Sequence, residues 1–250
     1  MKLTSKKVKF LLFGSFILLL LVIWPLNTYA KSVHVVFVKY SEMEVLAPHM
    51  YVEPTIDSDT RSELQGYLNT SKANITKIFG SRQSSPDTIF ISSKHAQKKY
   101  SENPTGQTYY FYWNSYIVIG PKGFNVNIIS HEITHAELRY RLHNKDSLPV
   151  WFDEGLATMA DGRFTGNEIV WMKKTNNGEK EVDYRLLDSN KAFEYGSAEA
   201  WNNYNLACYE VTRWYKVVGK EGLLELIKVL NGGEDFTSNY RRIENDANLS

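Results

Sequence analysis

The apolar positions change period about halfway along the chain. Before residue 125 they come in short runs of β-branched and aromatic side chains, the pattern of strands: VHVVFVKY from Val33 to Tyr40, DTIFIS from Asp87 to Ser92, then QTYYFYW and SYIVIG between Gln107 and Gly120. One amphipathic stretch interrupts them, RSELQGYLNTSKANITKIFG from Arg61, which predicts a helix stopped by Gly80. From Asn127 onward helical periodicity takes over and predicts helices near Val126 to His143, Val150 to Ala160, Ala198 to Val218, Lys220 to Leu230 and Asp235 to Glu244. Gly219 separates the third of these from the fourth, and Asn231-Gly232-Gly233 stops the fourth. Strands followed by helices predict an α+β fold, a small N-terminal mixed sheet packed on a mainly helical part. No repeat or Pro- or Ser-rich linker follows residue 30, so 31–250 reads as one folded unit, with 31–125 its α/β part and 126–250 its helical part.

The first 30 residues follow neither pattern. Lys2, Lys6, Lys7 and Lys9 precede an apolar run from Phe10 to Trp24 that Pro25 ends, the layout of an export signal. Small residues at Thr28 and Ala30 suit cleavage after Ala30, which would leave a secreted or periplasmic protein. Counted through Leu26 the run is 17 residues, at the lower edge of a bilayer span, so an uncleaved membrane anchor is the other reading. Positive charge before the run and little after it puts the body of the protein outside the cytoplasm in both cases.

Composition narrows the picture mainly by exclusion. With 43% hydrophobic and 23% charged residues the chain is expected to fold rather than stay disordered. Its 29 Lys and Arg against 28 Asp and Glu give a net charge of +1, which provides no general field for nucleic acid. The one cysteine, Cys208, lies in an apolar helical stretch and reads as a small buried hydrophobe.

The candidate chemistry lies in HEITH, from His131 to His135, inside the predicted helix NIISHEITHAELRYRL. Two histidines four apart project from one helical face, so one metal ion can touch both. Glu132 is rotated about 100° from His131, off the ligand direction but within reach of a metal-bound water, which is a general base's position. Imidazole suits zinc, and a catalytic zinc needs a third protein ligand. His143 is eight residues past His135, two turns and about 12 Å away, too far to share the ion. A carboxylate on the following helix, LPVWFDEGLATMADG, can be brought opposite the pair. Glu154 is well placed for this, and Asp153 stays open as an alternative.

HEITH, 18 residues and then Glu154 within LPVWFDEGLA resembles the gluzincin zinc peptidases, the thermolysin-like and aminopeptidase-like group. The family pattern sets a glutamate ligand within Trp-x-x-Glu-Gly-x-Ala, and Trp151, Glu154, Gly155 and Ala157 match it. The resemblance covers roughly Tyr116 to Gly233 and implies a zincin-like fold, a single catalytic Zn2+ on His131, His135 and Glu154, and Glu132 as general base. It also implies a strand along the substrate, here SYIVIG, and a tyrosine that stabilises the oxyanion. Tyr204 occupies that position, with Tyr195 and Tyr209 the next candidates. Asp161 is a candidate to orient a ligand histidine, although the thermolysin pattern puts that acid one turn after the ligand, where this chain has Thr158.

The expected activity is hydrolysis of peptide bonds in a peptide or protein substrate. The Gly-x-Met-Glu-Asn segment with which zinc aminopeptidases capture an α-amine is missing, and the upstream half is short, as in the compact peptidase domains called MA-like. Both point to an endopeptidase. The alternative is a catalytically silent zinc-binding or protein-binding module of the envelope. Contact with a membrane is expected only through the N-terminal segment, if it is uncleaved.

Overall fold

A computed structural model describes residues 29–164, 167–189 and 191–249, so residues 1–28, which carry the expected export signal, lie outside the described residues. Among the described residues no helix is long and apolar enough to cross a membrane.

The architecture is α+β. A five-stranded sheet is built from β1 (Glu44–Ala47), β2 (Met50–Val52), β3 (Asp87–Phe90), β4 (Gly106–Tyr110) and β5 (Ser115–Ile119), in the order β1-β2-β3-β5-β4. It is mixed: β2, β3 and β5 run parallel, while β1 and β4 are antiparallel to their neighbours. Three helices accompany it, α1 (Ala30–Val36), α2 (Ser58–Phe79) and α3 (Lys94–Tyr100). The rest of the chain forms α4 (Val126–Arg141), α5 (Val150–Asp161), α6 (Asn167–Thr175), α7 (Ala198–Asn231) and α8 (Phe236–Asn248).

Strand pleating sorts the sheet's side chains onto two faces. Met50, Val52, Phe90, Ile117 and Ile119 face the larger core, where they meet Ile128, Ile129 and Ile133 of α4 and, beyond them, Phe152, Leu156, Val211 and Trp214. Ile89, Ile91, Tyr116 and Val118 face a smaller core closed by Val35 and Val38 on one side and Ala96 and Tyr100 on the other. Each such aliphatic side chain contributes roughly 1.5–3 kcal/mol when fully buried. The larger core takes residues from both halves of the chain and fixes α4 against the sheet.

The predicted helices form where caps agree with the apolar period. Asp57 accepts from the backbone of Asp59 and Thr60 at the start of α2, and Asn125 accepts from Ile128 at the start of α4; such a cap is worth about 1 kcal/mol. Helices α5 and α7 approach closely at Gly155, where a Cβ would lie 2.5 Å from the Ala207 carbonyl oxygen. This glycine brings α7 against the residue next to Glu154.

The expected strand from Val33 to Tyr40 is instead α1 followed by a 3-10 turn over Val38–Tyr40. Its β-branched run is a strand sequence by propensity, but the strand that pairs with the β2 edge is β1. The segment therefore covers a sheet face, and a helix can do that by turning Val35 inward. The two helices expected on either side of Gly219 are both present within α7: Gly219, with φ 66° and ψ −165°, is itself non-helical and separates them at a kink. The β1–β2 pair, α3 and α6 were not foreseen; they are 3 to 9 residues long, too short for a periodic pattern.

Candidate metal centre

Helix α4 carries His131 and His135 one turn apart on its buried face, and α5 packs across it and supplies Glu154. The two Nε2 atoms lie 3.1 Å from each other. The Oε2 atom of Glu154 lies 3.4 Å from Nε2 of His131 and 3.5 Å from Nε2 of His135. These three residues form a group that could hold a metal ion. Oε2 of Glu154 is buried and has no hydrogen-bond partner.

Every other polar atom of the three side chains is engaged. Asp161 Oδ2 lies 3.1 Å from Nδ1 of His131 and is itself gripped by Arg163, whose Nε donates at 2.9 Å. Asp153 Oδ1 lies 2.8 Å from Nδ1 of His135, and its other oxygen accepts from Arg139 at 2.7 Å. The Tyr195 hydroxyl donates to Oε1 of Glu154. A carboxylate on Nδ1 holds the proton there and leaves Nε2 with its lone pair directed inward. The two Nε2 atoms and Glu154 Oε2 thus face one another, an arrangement that could hold a cation.

The electrostatics agree. Burial disfavours charge on both imidazoles, yet the facing carboxylates outweigh it: Asp161 and Glu154 raise His131, and Asp153 and Glu154 raise His135 well above the usual histidine value. Burial alone would raise the Glu154 carboxyl, but the two imidazoles hold it well below the carboxylate range. The cluster is short of positive charge.

The Glu132 carboxylate also meets the sheet edge. The Thr108 hydroxyl of β4 donates to Glu132 Oε2 at 2.6 Å. A Cβ at Gly106 would come within 2.7 Å of Glu132 Oε1, so the edge strand leaves the carboxylate room only because residue 106 is glycine. The resemblance implied SYIVIG as the strand along a substrate, but that segment is β5, paired on both sides by β3 and β4. The free edge beside Glu132 is β4. The misplacement follows from the crossover: the last strand before α4 in sequence is not the outermost in space.

Tyr204 lies with its ring centroid 6.2 Å from that of His131, packed among Phe164, Phe193 and Tyr195. Burial and then Glu154 push both Tyr204 and Tyr195 far above the ordinary phenol value, so both hydroxyls stay protonated donors. Tyr209 instead stacks on Trp171, with centroids 4.6 Å apart. His143 is exposed beyond the end of α4, its backbone bonded to Asn231. Asp153, considered as a ligand, lies on the outer nitrogen of His135. Arg139, Arg163 and Thr108 were not anticipated; of these only Arg139, one turn after His135, had a sequence signal.

A cleft of about 1490 Å³ is lined by residues that include Tyr110, Arg139, Trp151, Tyr184 and Tyr240. None of His131, Glu132, His135 or Glu154 lines it. No family model matches the chain, and no curated protein matches it either.

Proposed function

We propose that the chain is a zinc-dependent metallopeptidase of gluzincin type, an endopeptidase acting outside the cytoplasm. The observation that carries this reading is the convergence of two imidazole nitrogens and an unpartnered, buried carboxylate oxygen, each held from behind by its own hydrogen bond. Two imidazoles and one carboxylate are a donor set suited to catalytic zinc, which keeps a further position open. Bound there, zinc would polarise a substrate carbonyl and lower the pKa of water toward about 7.

The chain's own residues divide the remaining work. Glu132 takes the proton of the attacking water and delivers it to the leaving amine, with Thr108 holding one of its oxygens. Tyr204 is the donor to the oxyanion, because its hydroxyl has no carboxylate partner among the hydrogen bonds described, whereas that of Tyr195 is committed to Glu154. Tyr195 is a positioning residue: it occupies Oε1 and so directs Oε2 to the metal. An extended peptide can add to the free edge of β4 as a further strand, passing Glu132. Export rests on the basic segment and apolar run of residues 2–26.

The test is Glu132→Gln compared with wild type for bound zinc and for cleavage of casein. The variant should retain zinc and lose roughly 10²–10⁴-fold in rate. Cleavage at the wild-type rate would remove Glu132 from the mechanism. A wild-type protein that binds zinc and cleaves nothing would leave the silent module as the reading.

A further inference from the structure

Helix α1 has an inner apolar contact and an outer apolar stripe. Its inner side buries Val35, and the following turn buries Val38, against the sheet. Its outer side carries Tyr29, Val33 and Phe37 at helical spacing, continued by Tyr40, with Tyr29, Phe37 and Tyr40 exposed by 63%, 55% and 74%. Among the described residues nothing covers this stripe. The β4–β5 hairpin extends the same face: Phe111 packs on the core beneath α1, Trp113 stacks on it at 5.3 Å, and Trp113 and Tyr112 are exposed.

Two further features identify what covers it. The exposed residues are Tyr, Phe and Trp, edged by lysines: Lys31, Lys98 and Lys99 around the first turn of α1, and Lys39 at its end, 4.8 Å from the Tyr40 ring. Glu102 and Glu42 pair with Lys31 and Lys99. Aromatic rings with lysines at their margin are what the boundary between headgroups and acyl chains selects. The stripe is also continuous in sequence with the apolar run of residues 10–26, from which only Asn27 and Thr28 separate it.

We propose that the outer face of α1, together with the β4–β5 hairpin tip, rests on a lipid bilayer surface. The contact is made by the folded body and is separate from any insertion of the N-terminal run. It sets the orientation of the protein, because α4 and the metal group lie on the opposite face of the sheet from α1 and so point away from the lipid.

The test uses the full chain in vesicles of phosphatidylcholine and phosphatidylglycerol containing nitroxide-labelled lipid. An environment-sensitive fluorophore is attached at Lys39→Cys, with Lys216→Cys on α7 as the control; Cys208 is buried, and burial raises its thiol pKa, so it does not compete for the label. The label at residue 39 should be blue-shifted and quenched severalfold, and the label at 216 should be unaffected. Adding Phe37→Ser and Tyr40→Ser, both exposed and outside the core, should abolish the quenching without changing the circular dichroism. Equal emission from the two labels would overturn the proposal. So would a blue shift at 39 that grows with protein concentration but is not quenched, which would assign the stripe to a second copy of the chain. Both readouts are independent of metal, so the outcome stands apart from that of the peptidase reading.

Discussion

Glu137 and Glu154 are glutamates drawn into the interior by neighbouring helices, and their surroundings differ in one respect. Glu137, on α4, is completely buried, and both its oxygens are satisfied: Oε1 accepts from Arg141 at 2.7 Å and from the Gln83 backbone at 2.9 Å, and Oε2 from the backbone and hydroxyl of Ser84 at 2.8 Å each. Glu154, on α5, has one oxygen bonded to Tyr195 and the other bonded to nothing, facing two imidazole nitrogens. Burying a carboxylate is costly, and the cost is met only when each lone pair finds a partner. The first residue is a fastener that ties the loop after α2 to α4. The second keeps one oxygen without a partner, as a residue able to hold a metal ion would.

The comparison breaks most sharply under truncation of each glutamate. Glu154→Ala should abolish stoichiometric zinc after dialysis and readdition, a larger loss than the roughly 10- to 100-fold expected from an outer partner. Glu137→Ala should do the reverse, costing about 3–5 kcal/mol because Arg141 and two backbone N–H groups lose their acceptor. Its zinc affinity should be unchanged. If Glu137→Ala lost zinc while Glu154→Ala kept it, the two roles would have been assigned the wrong way round.

The tyrosines offer a finer version of the same contrast. Tyr195→Phe removes the bond behind Glu154 and should weaken zinc about 10- to 100-fold in a chelator competition. Tyr204→Phe should leave zinc affinity at the wild-type value and lower kcat by about 10²–10³-fold, as removal of an oxyanion donor does. Equal zinc affinities in the two variants would sink the positioning role of Tyr195.

How much of this was legible in the chain depends on the range of the interaction. His131, Glu132 and His135 lie on one helix, so the common face of the two histidines and the offset of Glu132 from it follow from helical spacing alone. Glu154 needed the assumption that the next helix folds back, and the resemblance to a known pattern provided it. The partners of Asp153, Arg163 and Thr108 depend on side-chain directions across packed elements, which no periodicity encodes. The same limit governed the fold. Helices α2, α4 and α5 carry long apolar stripes with caps or breakers, whereas Val33 to Tyr40 has the composition of a strand and becomes a helix because of what it packs against.

Glu53 gives the smallest effect and tests whether a satisfied carboxylate behaves as the Glu137 side of the comparison requires. It lies just after β2, and its Oε2 accepts from the Ser92 backbone at 2.6 Å, the Ser92 hydroxyl at 3.0 Å and the Ser93 backbone at 2.9 Å, where α3 begins. Burial pushes its pKa up, but the hydrogen bonds from Ser93 and Ser92 outweigh it and the net shift is down from 4.5. A carboxyl whose pKa is lower folded than unfolded binds protons more readily in the unfolded chain. Its contribution is therefore complete above the unfolded value of 4.5 and is lost as pH falls through the folded value. Glu53→Gln keeps an oxygen acceptor and loses the charge, so urea unfolding should find it about 1 kcal/mol less stable at neutral pH. The gap should narrow as wild-type Glu53 becomes protonated in acid. A gap of the same size on both sides of that titration would mean that the charge contributes nothing and that Glu53 acts only by its shape.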